Sequence, residues 1–352
     1  MHLIKKAVSS LLFLLIFLST VAQQRIWSAK QANAWYDNQP WLVGCNYIPN
    51  TAINQLEMWQ AETFDTATIQ KELGWAQDIG FNVVRVYLHN LVWQNDPEGF
   101  KQRINSFLNI ADAKKIKTIF VFFDDCWNKD PHPGIQPEPK KGVHNSGWVQ
   151  SPGEHMHNDS LSWPVLEKYV TDILTTFKKD KRILLWDLYN EPGNGGYQET
   201  SMPLLKNIFK WAWSVRPSQP LSVATWDKKL TAYNSYQLTH SDVITFHNYN
   251  DSANLEAEIR MLKSNQRPFL CTEYMARTNN SRFSSHLPVF KKYLVGALNW
   301  GFVSGKTNTI YPWNSPEGTT EPTLWFHDVF RPDGTPFDEK EVALIKQLTN
   351  RK

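Results

Sequence analysis

Two glutamates stand in the sequence where apolar runs end, and as a pair they have the chemistry of an acid and a nucleophile. Glu191 follows "ILLWDLYN" (183–190), and Glu273 lies near the end of "PFLCTEY" (268–274). Two carboxyl groups that face one glycosidic bond can cleave it, because one protonates the leaving oxygen while the other acts at the anomeric carbon. A single carboxylate at a strand end is more often a cap or turn residue, so the prediction depends on the pair.

The sequence places different charges near the two glutamates. Arg85 lies inside the apolar run "VVRVYL" (83–88), and an arginine in such a run requires a buried anion. We expect Arg85 and Tyr249 to keep Glu273 ionised by charge and hydrogen bonding. Glu191 has no adjacent cation in sequence and is expected to stay protonated, as a catalytic acid must. These arguments alone leave open which glutamate has which role.

Eight short apolar runs must position these residues. The predicted strands cover 41–47, 82–88, 117–123, 183–190, 220–226, 242–249, 268–274 and 296–303. The predicted helices cover 66–80, 97–116, 163–179, 202–215, 228–240, 253–264, 286–294 and 337–349, the pattern at 228–240 being the weakest. Nearly continuous apolar strands indicate a parallel sheet buried on both faces. The pattern predicts an α/β fold, a (β/α)8 TIM barrel with a single domain over 23–352, and an active site at the carboxyl ends of its strands.

Further polar and aromatic residues stand at the ends of other predicted strands. They are Asp124 and Asp125 after strand three, Asn190 after strand four, His247 and Tyr249 after strand six, and Trp300 on strand eight. A lone histidine such as His247 is more often a satisfied core residue than a catalytic one. Two glutamates, an arginine, a histidine and a tyrosine that converge from four strands are hard to explain as solvated surface, so we predict a catalytic site at this rim.

The stretch "WDLYNEP" (186–192) resembles the strand-four signature of a clan of retaining barrel glycosidases that includes the cellulase-like glycoside hydrolases of family 5. The resemblance covers roughly 41–305. It implies that Glu191 is the acid/base, that Glu273 is the nucleophile and that Asn190 binds the sugar 2-hydroxyl. Other positions that match the clan, and that the resemblance places at the substrate, are Arg85, His247, Tyr249 and Trp300. The implied activity is hydrolysis of polysaccharide or oligosaccharide by double displacement, with no cofactor and no metal.

The chain departs from the clan at the end of strand three. Members usually have a histidine there, whereas this chain has "FFDDCWN" (122–128). The residues expected to contact substrate in its place are Asp124, Asp125 and Trp127. The loop "GVHNSGWVQSPG" (142–153) is predicted to form a wall of the cleft through His144 and Trp148, with packing inside the loop as an equal alternative. This departure leaves the identity of the glycan open.

Composition and the first residues narrow the class of protein. The chain has 37 basic and 34 acidic residues, and without Lys5 and Lys6 the balance is 35 against 34. Such a balance gives no basic surface for nucleic acid. Those lysines, the apolar run at 11–18 and the small residues at 19–22 predict a signal peptide over 1–22, with an uncleaved anchor as the alternative. We therefore expect a secreted or periplasmic monomer with no membrane segment after cleavage.

Cysteine and tryptophan usage adds two weaker predictions. The three cysteines, Cys45, Cys126 and Cys271, fit neither a disulfide framework nor a zinc pattern, and we interpret them as small buried residues. Sixteen tryptophans suit a site where indole rings stack on the apolar faces of sugars, although a large aromatic core has the same composition.

Three alternatives to an endo-acting β-1,4-glycanase of the cellulase, xylanase or mannanase type stay open. The first is an exo-acting β-glycosidase of the mannosidase or galactosidase type, which depends on whether the loops at 124–160 and 304–325 close the cleft. The second is a catalytically silent sugar-binding barrel, against which the presence of both glutamates argues. The third is a metal-dependent hydrolase that uses His132, His144, His155 and His157 with Asp124 and Asp125, although their spacing matches no known zinc site.

Overall fold

The computed structural model describes residues 26–350, and at its centre is an eight-stranded parallel sheet. The strands are β1 (Val43–Asn46), β2 (Val83–Tyr87), β3 (Lys117–Asp124), β4 (Ile183–Asn190), β5 (Leu221–Ser222), β6 (Ile244–His247), β7 (Phe269–Tyr274) and β8 (Gly296–Asn299). β1 pairs with both β2 and β8, and the order continues to β5 on one side and to β6 on the other. A parallel bridge between Thr225 and Phe246 joins these two ends. The strands therefore form a nearly closed (β/α)8 barrel, which confirms the predicted fold class.

Helices surround the barrel in the order expected for βα units. They are α1 (Ala29–Asp37), α2 (Gln55–Trp59), α3 (Thr66–Asp78), α4 (Asn90–Asn95), α5 (Pro97–Ala113), α6 (Glu154–Asn158), α7 (Trp163–Phe177), α8 (Met202–Val215), α9 (Thr231–His240), α10 (Ser252–Leu262), α11 (Phe283–Tyr293) and α12 (Glu339–Leu348). Local chemistry sets their starts: the side chain of Asp65 caps α3, and that of Asp96 caps α5, whose first residue is a proline. All eight predicted helices are present, and the weakest begins three residues late, at Thr231.

The core explains why the strand sequences are almost continuously apolar. Every residue of β2, β4 and β7 is buried, because helices cover the outside of the barrel while side chains fill its interior. At the amino ends of the strands, Trp27 and α1 pack over Leu42, Leu185 and Leu298 and close the bottom of the barrel. The backbone N–H of Trp27 also donates to Asp242 at 2.7 Å. The closed bottom leaves the carboxyl ends as the open face.

Strand eight ends earlier than its sequence pattern predicts. β8 stops at Asn299, and Gly301 then adopts a φ of +74°, which turns the chain away from the sheet direction. A Cβ at Gly301 would lie 2.6 Å from Oδ1 of Asp328, so the turn also requires the absence of a side chain. Trp300 consequently leaves the strand and lies at the mouth of the barrel.

Two predictions concern the membrane and the amino terminus. The predicted signal peptide over 1–22 lies outside the described residues. Among residues 26–350, no helix combines the length and the apolarity that crossing a bilayer requires.

Candidate active site

A cavity of about 550 Å³ lies at the carboxyl ends of the strands. Eight of the residues predicted at the site line it: Trp127, His144, Asn190, Glu191, His247, Tyr249, Glu273 and Trp300. Four others, Arg85, Asp124, Asp125 and Trp148, are buried and do not line the cavity, so the substrate contact expected of Asp125 is not seen. The barrel therefore brings most of the predicted residues to one concave site of the size typical for small-molecule ligands.

Glu273 is held by hydrogen-bond donors on both of its oxygens. Oε1 accepts from Nη1 of Arg85 at 2.6 Å and from the hydroxyl of Tyr87 at 2.8 Å. Oε2 accepts from the hydroxyl of Tyr249 at 2.8 Å, and Nδ1 of His247 lies 3.5 Å from it. Because all of these neighbours donate, the group that fits among them is an ionised carboxylate, fixed in one orientation.

Arg85 is itself fixed by acceptors from three other strands. Nε and Nη2 both donate to Oδ2 of Asp187, at 2.9 and 2.8 Å, and Nη1 donates to Oδ1 of Asn46 at 2.9 Å. Arg85 and Asp187 are both fully buried, and Asp187 is the buried anion that Arg85 was predicted to require. The sequence analysis missed Asp187 and Tyr87. The same signal would have found Asp187, a charge inside an apolar run, and Tyr87 lies two residues from Arg85 and hence on the same face of β2.

The amide of Asn190 is oriented by a cation on one side and an anion on the other. Its Oδ1 accepts from Nη2 of Arg85 at 2.7 Å, while its Nδ2 donates to Oδ1 of Asp124 at 2.9 Å. This network sets which amide atom is oxygen and which is nitrogen. One N–H of Nδ2 remains for a ligand hydroxyl, with Sγ of Cys126 as a weak acceptor 3.5 Å away.

Glu191 faces the same cavity with a different set of partners. Nδ1 of His247 lies 2.7 Å from Oε1, and Nδ2 of Asn194 donates to Oε2 at 2.6 Å. Burial raises the pKa of Glu191, but the hydrogen bond and charge of His247 and the bond from Asn194 outweigh it, so the pKa is lowered overall. The expectation that Glu191 stays protonated in the free enzyme is therefore wrong. The expectation failed because His247, which lowers the pKa, lies on β6 and is distant from Glu191 in sequence.

The backbone at Glu191 is also unusual. Glu191 has a φ of +45°, a left-handed conformation that non-glycine residues adopt at a cost of about 1 kcal/mol or more and that is common at functional sites. The following loop is pinned, because the N–H of Gly193 donates to Oδ2 of Asp125 at 2.8 Å. Gly195 has a φ of +59°, and a Cβ there would lie 2.5 Å from the carbonyl oxygen of Asp125. These glycines permit a tight, fixed turn that presents the carboxylate to the cavity.

Cys126 is a site residue that the sequence analysis misread. It is only partly buried and lines the cavity, with Sγ 3.4 Å from Oε2 of Glu191. The other two cysteines are buried, as expected. Burial raises the pKa of the Cys126 thiol, and the nearby carboxylates of Asp124 and Glu191 raise it further. The thiol is therefore a weak donor to Glu191 and not a thiolate nucleophile.

Asp124 and Trp148 support the site from behind, which differs from the substrate contacts expected of them. Asp124 is 1% exposed, and its carboxylate accepts from Asn190 and, at 2.7 Å, from Nε1 of Trp148. Burial raises the pKa of Asp124 to about 7, against the effect of these hydrogen bonds. Trp148 packs edge-on against Tyr87 and Trp300. At the end of strand three, an aspartate thus orients Asn190 where the clan usually has a histidine.

Four tryptophans line the cavity: Trp127, Trp226, Trp300 and Trp313. Trp127 and Trp300 were predicted from the sequence. Trp226 ends the predicted strand 220–226 and could have been found by the same strand-end signal, whereas Trp313 lies in the long loop after β8. Trp127 is 38% exposed and packs against His144 with the rings tilted and their centroids 5.3 Å apart. Indole faces around a polar centre are suited to the apolar C–H faces and polar rims of sugar rings.

Glu191, His247 and Glu273 each offer one ligand atom, and these three atoms lie within 4.8 Å of one another. A divalent cation fits such donors in number, but the 2.7 Å contact between His247 and Glu191 is a hydrogen bond, which needs a proton on the nitrogen that a metal would occupy. Among the described residues, the histidines of the metal-hydrolase alternative form no cluster of three metal ligands with Asp124 and Asp125. His132 contacts exposed Asp130, His144 contacts the carbonyl of Tyr311, and His157 contacts Ser201.

A barrel with a fixed carboxylate, a second carboxylate opposite it and tryptophan walls defines a carbohydrate-active enzyme class. The family that matches the sequence is Cellulase (glycosyl hydrolase family 5), over residues 46–305. The chain therefore belongs to glycoside hydrolase family 5, a family of retaining glycosidases, as the resemblance implied. No curated protein matches the sequence.

Solved structures of the same fold include enzymes that act on mannosides. The exo-β-1,4-mannosidase Op5Man5 from Opitutaceae bacterium strain TAV5 has a TM-score of 0.62 and 16% identity over 88% of this chain and 60% of its own. The endo-1,4-β-D-mannanase from Thermotoga petrophila RKU-1 has a TM-score of 0.55 and 15% identity, over 88% and 99%. GH5_18 from Streptomyces cattleya, in complex with Manβ1-4GlcNAc, has a TM-score of 0.59 and 11% identity, over 88% and 80%. At identities this low, the structural similarity establishes a shared fold alone.

Proposed function

We propose that this family 5 enzyme hydrolyses β-1,4-linked mannosides by double displacement, with Glu273 as the nucleophile and Glu191 as the acid/base. The observation that carries the proposal is the spacing of the two glutamates. One carboxylate oxygen of Glu191 and one of Glu273 lie within 4.8 Å of each other. Retaining glycosidases hold their carboxyl groups about 5–5.5 Å apart, whereas inverting enzymes separate them by about 6.5–9.5 Å to admit a water.

The surroundings of each carboxylate support these roles. Glu273 accepts from Arg85, Tyr87 and Tyr249, which fixes an ionised oxygen for attack at the anomeric carbon. Because the pKa of Glu191 is lowered in the free enzyme, its carboxyl group must first take up a proton from solvent. Attack then forms a glycosyl ester and breaks the bond to the leaving oxygen, which takes that proton from Glu191. Glu191 then accepts a proton from water, whose oxygen attacks the same carbon and releases Glu273. Two inversions at one carbon give a product with the β-configuration of the substrate.

The substrate class rests on other features. The tryptophans around the cavity support a glycan, and the free N–H of Asn190 is placed for a sugar 2-hydroxyl, the group that distinguishes mannose from glucose by its axial position. Because the structures of similar fold include mannoside-active enzymes, we take β-mannosides as the first substrate class to test. Cellulose- and xylan-type chains share the β-1,4 linkage and are the comparison substrates.

Proton NMR of the fresh products of β-1,4-manno-, cello- and xylo-oligosaccharides tests this proposal. We expect fastest hydrolysis of the manno-oligosaccharides, with the β-anomer appearing first and the α-anomer growing in by mutarotation. An α-anomer as first product would refute the double displacement, and a preference for cello- or xylo-oligosaccharides would refute the substrate class.

A further inference from the structure

Three loops at the carboxyl end of the barrel are joined into one wall, which comprises segments 47–54 after β1, 140–150 after β3 and 305–319 after β8. The N–H of Asn145 donates to the carbonyl of Thr307 at 2.8 Å, and Nδ2 of Asn308 donates to the carbonyl of Lys140 at 2.9 Å. The first loop joins them through Nδ2 of Asn54, which donates to the carbonyl of Gly147 at 2.8 Å. Hydrogen bonds that link all three segments make the wall a fixed part of the site.

The segments of the wall pack closely where two glycines lie. A Cβ at Gly147 would lie 2.4 Å from Cδ1 of Ile53, and a Cβ at Gly305 would lie 2.3 Å from the carbonyl oxygen of Asn50. An ion pair of 2.6 Å between Lys306 and Glu57 joins the wall to α2. The wall is therefore closed at the level where the backbones meet.

Two of the wall segments follow β8 and β1, which lie across the barrel from β4 and β5. Glu191, which the leaving oxygen must reach, follows β4, so these segments lie on the opposite side of the site from the leaving group. Trp148 packs edge-on against Tyr87, at 5.1 Å between ring centroids, and Tyr87 donates to Glu273. One aromatic layer thus separates the wall from the nucleophile. A pyranose with C1 at Glu273 directs C4, its opposite carbon, toward the wall.

Two wall residues border the cavity and have side-chain polar atoms that are enclosed in the free protein and have no partner among the described residues. Asn145 is 1% exposed, and neither amide atom of its side chain is hydrogen-bonded. His144 is equally buried, and its Nε2 has no partner. Burial lowers the pKa of His144 to about 4, so the ring is neutral, and with Nδ1–H donating to the carbonyl of Tyr311 its Nε2 is an acceptor. Unpaired buried polar groups are costly, and a bound ligand is one way to satisfy them.

We propose that the enzyme is exo-acting, and that Asn145 and His144 recognise the hydroxyl groups at the non-reducing end of the terminal sugar. This inference rests on the proposed function and specifies how the same site selects its substrate. Asn145 offers one donor and one acceptor to the hydroxyl at C4 and its neighbour at C3, and His144 offers a second acceptor. A chain extended at the 4-hydroxyl meets the wall, so the enzyme removes one residue at a time from the free end.

A competing explanation for Asn145 is a structural water. Asn145 also lines a second cavity of about 20 Å³ beside Tyr87 and Trp300, which is large enough for one water molecule. A water there would satisfy the amide without any role in substrate selection. The two explanations differ in their consequences for substrates that lack the 4-hydroxyl group.

The first test compares β-1,4-mannohexaose with the same hexaose methylated at the 4-hydroxyl of its non-reducing end. Exo-action predicts mannose and mannopentaose as the first products, and capped hexaose hydrolysed at least about 10-fold more slowly. Early release of di- and trisaccharides, or equal rates on both substrates, would overturn the exo inference while leaving the proposed function intact. If neither hexaose nor an aryl β-mannoside is hydrolysed, the proposed function itself fails, and the inference fails with it.

The second test assigns the recognition to Asn145. Asn145→Gly suits the φ of +49° at this position, and Asn145→Asp keeps the shape of the side chain in case the first variant is unstable. Either should lower kcat/KM for an aryl β-mannoside about 10-fold and have a smaller effect on its 4-deoxy analogue. The control Asn308→Ala removes a bond within the wall but no cavity-lining group, and should keep the full dependence on the 4-hydroxyl. Equal dependence in all variants would refute the assignment and favour the structural water.

Discussion

Replacing His247 with leucine should shift the pH dependence of this enzyme toward alkaline pH. Nδ1 of His247 contacts Oε1 of Glu191 at 2.7 Å and is a principal reason why the pKa of that carboxyl is lowered despite its burial. Leucine has similar bulk and no donor. Without the imidazole, burial has a larger net effect on the pKa of Glu191 and favours the protonated carboxyl group. The hydrogen bond from Asn194 to Oε2 remains, so the pKa of Glu191 should rise by a limited amount.

The expected shift follows from the energy of one hydrogen bond. A bond to a charged group contributes about 1.5–3 kcal/mol, and one pKa unit corresponds to about 1.4 kcal/mol. Losing this bond should therefore raise the pKa of Glu191, and the alkaline limb of the pH profile should move to higher pH with it. His247 also lies 3.5 Å from Glu273, beyond a good hydrogen bond, so the substitution should disturb the position of that carboxylate less. The alkaline limb, which requires protonated Glu191, should move further than the acid limb.

The assay is the pH dependence of kcat/KM on an aryl β-mannoside, because this ratio reports the ionisations of the free enzyme. His247→Gln, which keeps a donor, should show a smaller shift of the alkaline limb. The control His155→Leu makes the same substitution at an exposed histidine outside the site and should leave the limb in place. An alkaline limb that stays in place or moves to lower pH in His247→Leu would refute the argument that His247 sets the ionisation of Glu191.

Three further predictions follow from single contacts. Tyr249→Phe removes a donor 2.8 Å from Glu273 and should lower kcat by about 10- to 100-fold with an unchanged circular dichroism spectrum; a wild-type kcat would contradict this. Burial raises the pKa of Glu72 from its ordinary value of 4.5 to about 7, so between these pH values the folded state keeps a proton that the unfolded state releases. Relative to Glu72→Gln, the wild type should lose up to about 3 kcal/mol of unfolding free energy from pH 4.5 to 7, and urea titrations with no such difference would refute it. Because burial raises the pKa of the Cys126 thiol, iodoacetamide near neutral pH should leave activity unchanged, and rapid inactivation would show a thiolate instead.

The fold was predictable because its signals are local. Each strand lies in an apolar run, the longer helices have their own apolar periodicity, and parallel strands place their carboxyl ends on one face. The same logic located Glu191 and Glu273, and the requirement of Arg85 for a buried anion identified a real network. That network includes Asp187, which a charge within "ILLWDLYN" should also have indicated.

The remaining parts of the site depend on contacts that the sequence does not encode locally. The bond from His247 to Glu191 joins β6 to β4 across the barrel mouth, so no neighbouring residue indicates that the pKa of Glu191 is lowered. Cys126 is a small apolar residue of the kind usually found in a core, but the turn after β3 brings it to the cavity. Trp148 faces inward because Asp124 accepts its indole N–H, and only the folded loop shows this.

The most direct test of the central claim is azide rescue of two variants with an activated aryl β-mannoside. Glu273→Ala lacks the nucleophile, so azide attacks from its side and should give the α-glycosyl azide, with inverted configuration. Glu191→Ala still forms the glycosyl ester on Glu273, and azide should give the β-glycosyl azide, with retained configuration. Opposite anomers from the two variants are the predicted result. The same anomer from both, or wild-type hydrolysis by either variant without azide, would contradict the assignment of nucleophile and acid/base.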